Sequence, residues 1–457
     1  CLPVALLFSE NHSYISKKKC RFEEDSIACT FYMERFTGVI GILILLGLAF
    51  LWSNNRKAIN YRVVFTGLGL QLALAVFILK VPLGQDIFYW LGKAINKLLD
   101  FSQEGGLFVF GDLTKVTEIL PEGIVESGIF LFVLLPTIIF VCVLVAMAYH
   151  IGLMQRIVAV IARFVHWAMR VSGSEALSNV ASAFVGQVEA QIMIRPYLSG
   201  MTMSELLASM TGSMACIAGG VMAVYISMGV PASYLLAASL MAAPGALVIS
   251  KIVFPETEES ETKGKVKLEV KKEHTNIMDA ISHGATDGMK ISINVIAMLI
   301  GVIALIALVD ALLGYFGHFL AWVGVSLEGI GLHVENLRLK DVVGAFFSLF
   351  AIVMGVPPEE SLTVGSLMGT KMVINEFVAY TDLSPMIQQG VLSAKSVIIA
   401  SFALCGFANF SSIAIQLGGI GAMIPHRKAD LARLGFKAML CGTMASYISA
   451  SLAGILM

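Results

Sequence analysis

The tetrapeptide Gly186-Gln187-Val188-Glu189 sets an amide and a carboxylate in the middle of apolar sequence. An ionisable residue at membrane depth costs about 2.5 to 3.5 kcal/mol, so it normally faces a protein interior or a wet cavity. A binding site is the default reading of such a group. In a regular helix Gln187 and Glu189 point to nearly opposite faces, and presenting both to one ligand takes an unwound tip, which Gly186 makes easy. A second carboxylate lies beside an amide at Asn375-Glu376, again in apolar surroundings. Asn409 and Ser412, at i and i+3, share one face of a helix. They either grip one ligand with amide and hydroxyl or bond neighbouring helices.

The elements that position these groups are short. About ten mostly apolar residues precede Gly186 and a similar stretch follows before Arg195-Pro196, whereas a spanning helix needs about 20. Neither arm crosses a bilayer alone, so residues 175–197 are expected to form a re-entrant hairpin with a polar tip lining a cavity. Residues 361–380 repeat that pattern, with Gly365, Gly369 and Lys371 before Asn375-Glu376. Each hairpin is followed by an interrupted apolar stretch: Cys216-Ile-Ala-Gly-Gly220 in one half and Cys405-Gly-Phe-Ala-Asn-Phe-Ser-Ser412 in the other. Matching hairpin-plus-broken-helix units point to a transporter site at a repeat interface.

Composition agrees with that reading. Of 457 residues 57% are hydrophobic and only 14% charged, and the mean hydropathy is +0.83, which indicates an all-α polytopic membrane protein. A net charge of -1 offers no basic surface for nucleic acid. The seven cysteines show no CxxC spacing, and no metal site or cofactor is expected. HExxH and GxSxG are absent, and Ser182 has no evident His partner, so an intramembrane enzyme is a distant alternative, as is a passive channel.

Eight apolar crossings are expected near 36–52, 63–81, 128–149, 206–228, 232–254, 291–313, 391–417 and 438–456. Residues 85–101 and the segment carrying Arg156, Arg163 and Arg170 read as interfacial amphipathic helices. Basic residues cluster at Arg56-Lys57 with Arg62, at the three arginines just named, at 251–272 and at 426–437. With the first hairpin entering and leaving on one side, all four loops face the cytoplasm, both termini lie outside, and the two hairpins have opposite orientation. The chain divides into an N-terminal extension without structural role (1–32), spans of a scaffold (33–149), a first hairpin and broken helix (150–254), a solvated cytoplasmic linker (255–275), a sixth span (276–340), and a second hairpin and broken helix (341–457). Asp310 is expected to be a helix-end group.

Gly186-Gln-Val-Glu189 continuing to Ile194-Arg-Pro-Tyr197, Met210-Thr-Gly with Ile217-Ala-Gly, Asn375-Glu-Phe-Val-Ala-Tyr380, and Cys405 to Ser412 followed by Gly418-Gly-Ile-Gly-Ala-Met423 together resemble the concentrative nucleoside transporter family. The resemblance runs from about Met33 to Met457. It implies a homotrimeric elevator transporter of the cytoplasmic membrane, built from inverted repeats, that imports nucleosides with a coupling cation. By resemblance, Gln187 and position 188 contact the nucleobase beside Phe407. Glu376, Asn409 and Ser412 hold the ribose hydroxyls, with Glu189 and Val221 on the ribose side. A carboxylate, an amide and a hydroxyl supply the partners a ribose diol needs.

Three positions depart from the family pattern. Val188 stands where a Thr or Ser is common, which removes a hydroxyl from the base side and suggests wider acceptance of purines. The family's sodium site, mapped onto Ser182, Val185, Cys216 and Ile217, loses an amide oxygen at Ser182 and an oxygen at Cys216, where a thiol is a poor ligand for a hard cation. Members without that site are typically proton-coupled, so proton symport is expected, with Glu189 or Glu376 as carrier and sodium coupling as the alternative.

Overall fold

The computed structural model describes residues 37–114, 130–262, 275–324 and 337–457, so the expected extension at 1–32 lies outside the described residues. All regular structure among them is helical. In chain order the helices are α1 Thr37–Leu51, α2 Tyr61–Leu79, α3 Pro82–Phe110, α4 Phe130–His150, α5 Leu153–Met169, α6 Gly173–Ser182, α7 Glu189–Ile192, α8 Arg195–Leu198, α9 Met203–Ala215, α10 Gly219–Ser227 and α11 Ala232–Val253. They continue with α12 Ile277–Val323, α13 Leu339–Met354, α14 Pro358–Val373, α15 Glu376–Gln388, α16 Ala394–Leu404, α17 Phe410–Met423 and α18 Lys428–Leu456.

Five helical stretches are long and apolar enough to cross a membrane: Tyr61–Leu79, Met203–Ser227, Ala232–Val253, Ile303–Val323 and Pro425–Leu456. The pair Leu135–His150 and Leu153–Met169 is bent by 74° and makes a sixth if counted as one span. The chain is thus an all-helical, multi-span membrane protein. Residues 291–313 prove to be the middle of the 47-residue α12, whose qualifying apolar window falls later. The stretch 391–417 is split between α16 and α17, and the described part of the first apolar stretch is the short α1.

Burial separates inner helices from outer ones. The apolar windows of α11 and α18 are 89% and 83% buried, whereas that of α12 is 6% buried and presents a row of large side chains outward. Helix α11 packs on α2, α9 and α18, while α18 also packs on α9, α16 and α17. Gln71 of α2 ties three of these together, its amide donating to the Met241 carbonyl at 3.0 Å and to Ser449 Oγ at 3.1 Å. A neutral amide between helices gives direction to packing that apolar contact alone leaves loose.

The helix starts follow local capping chemistry. Ser172 with Glu175 and Thr202 with Glu205 form complete capping boxes at α6 and α9, and Asn60, Asn276, Asn375, Ser393 and Asn409 cap α2, α12, α15, α16 and α17. Asp310 sits within α12 rather than at its end, and it serves the end of another helix by accepting the Leu339 N–H at 2.7 Å at the start of α13.

The stretch after α11 is not simply solvated. Lys251 is ion-paired with Glu175 and with Glu256 (3.1 Å), and it donates to Ser204 Oγ at 2.9 Å. Thr202 Oγ1 donates to Glu256, the Thr262 carbonyl accepts the Gly173 N–H at 3.1 Å, and Thr262 Oγ1 bonds Ser174 Oγ at 2.9 Å. Residues 256–262 therefore dock under the N-termini of α6 and α9, because those ends present orphan N–H groups and capping hydroxyls. Lys251→Met leaves Glu175 buried without its cation, which costs about 3 to 5 kcal/mol. A clear fall in the detergent unfolding temperature is the expected result.

Candidate functional site

Two helix interruptions and two helix pairs converge on the candidate site. In the first pair, α6 ends at Ser182, residues 183–188 are non-helical, and α7 starts at Glu189. The unwound tip expected at Gly186 is present. It turns Gln187 inward, 8% exposed, while Glu189 is exposed and its carboxylate lies against Gly186. Gln187 Nε2 reaches Ser412 Oγ at 3.5 Å, and Val188 packs against Gly419 of α17. The tip of the first hairpin-like pair thus touches α17, the helix that follows the break at Cys405.

In the second pair, α14 ends at Val373 and Asn375 caps α15, its side chain accepting the Val378 N–H at 2.9 Å. Glu376 is the first residue of α15 and 5% exposed. The start of a helix is a favourable place for a carboxylate, because the orphan N–H groups and the dipole are positive there. Asn409 caps α17: its Oδ1 accepts the Ser412 N–H at 2.9 Å and the Ser411 hydroxyl at 2.7 Å. The same side chain donates from Nδ2 to Glu376 Oε2 at 2.9 Å. Glu376, Asn409, Ser412 and Gln187 therefore form one connected polar cluster where the N-termini of α15 and α17 meet.

Tyr225, which the sequence reading passed over, completes the carboxylate's partners by donating to Glu376 Oε1 at 3.3 Å. It lies one turn beyond Val221 on α10, fully buried, stacked on Tyr380 with ring centroids 4.3 Å apart and tilted on Phe377 at 5.9 Å. An aromatic hydroxyl one helical turn after an apolar pocket residue was the available signal. Val221 and Phe407 are half-buried near the breaks.

The mapped ion-site positions are engaged with the protein itself. Ser182 Oγ donates to the Ser178 carbonyl at 2.7 Å and bonds Ser213 Oγ at 3.0 Å. The Cys216 thiol is directed at the Ser239 carbonyl, 3.6 Å away, and Ser239 Oγ donates to the Ala183 carbonyl at 3.1 Å. Val185 and Ile217 are buried beside them. Among the described residues no cluster of His, Cys, Asp or Glu is suited to hold a metal ion.

Unwound, hydrogen-bonding helix ends gathered among the helices of a multi-span membrane protein are the arrangement expected of a membrane transporter. Comparison with known proteins agrees. Family models described as "Na+ dependent nucleoside transporter N-terminus", "Nucleoside recognition" and "Na+ dependent nucleoside transporter C-terminus" match residues 40–113, 131–232 and 234–454. The chain belongs to the concentrative nucleoside transporter family. It is 40% identical to the uncharacterized transporter YutK of Bacillus subtilis, over 93% of this chain and 100% of that protein. It is 36% identical to the nucleoside permease NupC of Helicobacter pylori, over 91% of this chain and 96% of that protein. A solved structure of CNTnw in an inward-facing substrate-bound state shares 40% identity and superposes with a TM-score of 0.82 over 92% of this chain and 97% of its own.

Proposed function

We propose that this chain is a secondary active symporter that imports nucleosides across the cytoplasmic membrane, driven by the proton gradient. The observation that carries the substrate reading is the cluster of Glu376, Asn409, Ser412 and Gln187. A carboxylate and an amide at two helix starts can take the two hydroxyls of a ribose, while Gln187 pairs with the edge of the base. Val188, half-buried against Gly419, offers that base only methyl groups. This favours wider acceptance of purines. NupC of Helicobacter pylori carries nucleosides in its name, which supports the same substrate class.

For the ion, the reading departs from the sodium named in the family descriptions. The hydroxyl of Ser182 and the thiol of Cys216 replace stronger oxygen donors, and both are already bonded within the protein. Of the two candidate carriers, Glu376 has both oxygens engaged by Asn409 and Tyr225, whereas the Glu189 side chain is exposed. Glu189 is the assigned carrier.

The wider assembly follows the same reading. About eight crossings, two oppositely oriented hairpins (α6–α8 and α14–α15) and the interfacial helices make inverted repeats at 150–254 and 341–457. Residues 33–149 mainly supply the scaffold against which the repeats move as an elevator within a homotrimer, and 276–340 form the sixth span and its flanking segments. Basic loops face the cytoplasm, and both termini lie outside.

Uptake of radiolabelled uridine and guanosine into proteoliposomes tests the proposal. An imposed inward proton gradient is expected to drive accumulation without sodium, with guanosine taken up at a rate comparable to uridine. Glu189→Gln is expected to lose proton-driven accumulation while retaining a measurable part of nucleoside counterflow. A strict sodium requirement would transfer coupling to a rearranged cation site, and absence of uptake under either gradient would refute nucleoside symport.

A further inference from the structure

Lys371 is 1% exposed and belongs to none of the ligand-binding positions assigned above. A lysine taken out of water is retained only where its ammonium finds partners. Here it donates to the Ala403 carbonyl at 2.8 Å and to the Cys405 carbonyl at 3.1 Å. No described carboxylate lies within ion-pair distance of it. Its partners are the last carbonyls of α16, which have no intrahelical N–H to accept and form the negative end of the helix dipole.

A second helix ends at the same place. Helix α9 stops at Ala215, and Gly406, just past the end of α16, lies against the Met214 and Ala215 carbonyls. Two negative helix ends therefore meet at the crossing of the broken helices. Lys371 supplies positive charge there. Its neighbours complete the grip: Ser446 Oγ also donates to the Cys405 carbonyl at 2.8 Å, and Tyr380 Oη donates to the Ser401 carbonyl at 2.8 Å. The last turn of α16 is thus held from α14, α15 and α18.

This grip bears on the ribose-binding pair through the chain itself. Lys371 precedes Glu376 by five residues, and Cys405 precedes Asn409 by four. The two contacts of the ammonium link the arm that leads to Glu376 with the break that leads to Asn409, and Asn409 then meets Glu376 at 2.9 Å. We propose that Lys371 is a positioning residue, a tethered cation that neutralises the converging helix ends and sets the spacing of Glu376 and Asn409 for a ribose diol. The proposal rests on the ribose reading of that pair.

The test compares uridine with 2′,3′-dideoxyuridine in proteoliposomes containing wild type, Lys371→Met, Lys371→Gln or Lys371→Arg, each corrected for inserted protein. Wild type is expected to prefer uridine strongly in Vmax/KM. In Lys371→Met the uridine KM rises and the preference falls by about tenfold, since each ribose hydrogen bond to a charged group is strong enough to account for a factor of that order. Lys371→Gln, which keeps N–H donors without charge, gives an intermediate preference, and Lys371→Arg retains most of it. A wild-type preference in any inserted variant lacking the ammonium overturns the proposal. So does failure of Lys371→Arg to insert together with the others, which would assign the residue to folding alone. A wild-type protein that transports both analogues equally would instead refute the ribose reading.

Discussion

Glu376→Gln protein, correctly inserted, is expected to transport nucleosides at about one hundredth of the wild-type Vmax/KM or less. The carboxylate already accepts from Asn409 Nδ2 and from Tyr225 Oη, so its orientation is set before ligand arrives. Hydrogen bonds to a charged group contribute about 1.5 to 3 kcal/mol each, and in the proposed site the change to an amide removes the charge and one of the two acceptor oxygens that face the ribose. The amide is a poorer acceptor, and its NH2 also turns a donor toward Asn409 Nδ2 or toward the substrate hydroxyls. Because Gln has nearly the shape of Glu, the helix start at Asn375 and the packing of Phe377 and Tyr380 are retained, and the unfolding temperature changes little. Transport assays beside thermal unfolding in detergent separate the two effects. Wild-type uptake by the inserted variant would defeat the assignment of Glu376 to the ribose.

Gly406→Val is expected to abolish transport by a different route, through the fold. Gly406 has φ +102°, a conformation that residues with a Cβ rarely adopt. Its missing side chain is also occupied space, since a Cβ there meets the backbone of Ala215 and Met214. Backbone atoms of a neighbouring helix cannot swing aside as a flexible side chain can. Conformational strain of about 1 to 3 kcal/mol adds to a displacement of similar size. The crossing of the two breaks is forced apart, and both Lys371 and Asn409 lose their geometry. Fluorescence-monitored unfolding and nucleoside uptake check this together. An inserted Gly406→Val protein with unchanged unfolding temperature and uptake would show that the crossing tolerates separation.

Both results depend on residues whose roles were unequally visible beforehand. Glu376 and Gly186 stood out because a carboxylate or an unwinding residue inside an apolar run is costly without a purpose. Asn409 was noticed for its i, i+3 relation to Ser412, yet that spacing is also how an Asn cap meets its own helix, and the structure shows it doing so. One side chain caps α17 with its oxygen and holds Glu376 with its nitrogen. Tyr225 drew no reading and Lys371 read only as an arm residue, since their partners lie 151 and at least 32 positions away. The linker after α11 read as solvated from its charges, but Glu256 and Thr262 find capping groups under α6 and α9. Composition could not foresee that.

By itself the sequence determined the membrane class, the apolar stretches, the two short polar-tipped arms and the interruptions after Cys216 and Cys405. These are local: they follow from hydropathy over a window, from glycine and proline, and from the cost of an isolated charge in an apolar run. Only the tertiary structure decided that Gln187 meets Ser412, that Tyr225 holds Glu376, that Lys371 serves α16 rather than a carboxylate, and that Ser182 and Cys216 bond to the protein. Those pairings join distant parts of the chain through orphan groups at helix ends. Which end meets which is set by how the helices cross, a property of packing in three dimensions that no single stretch of residues encodes.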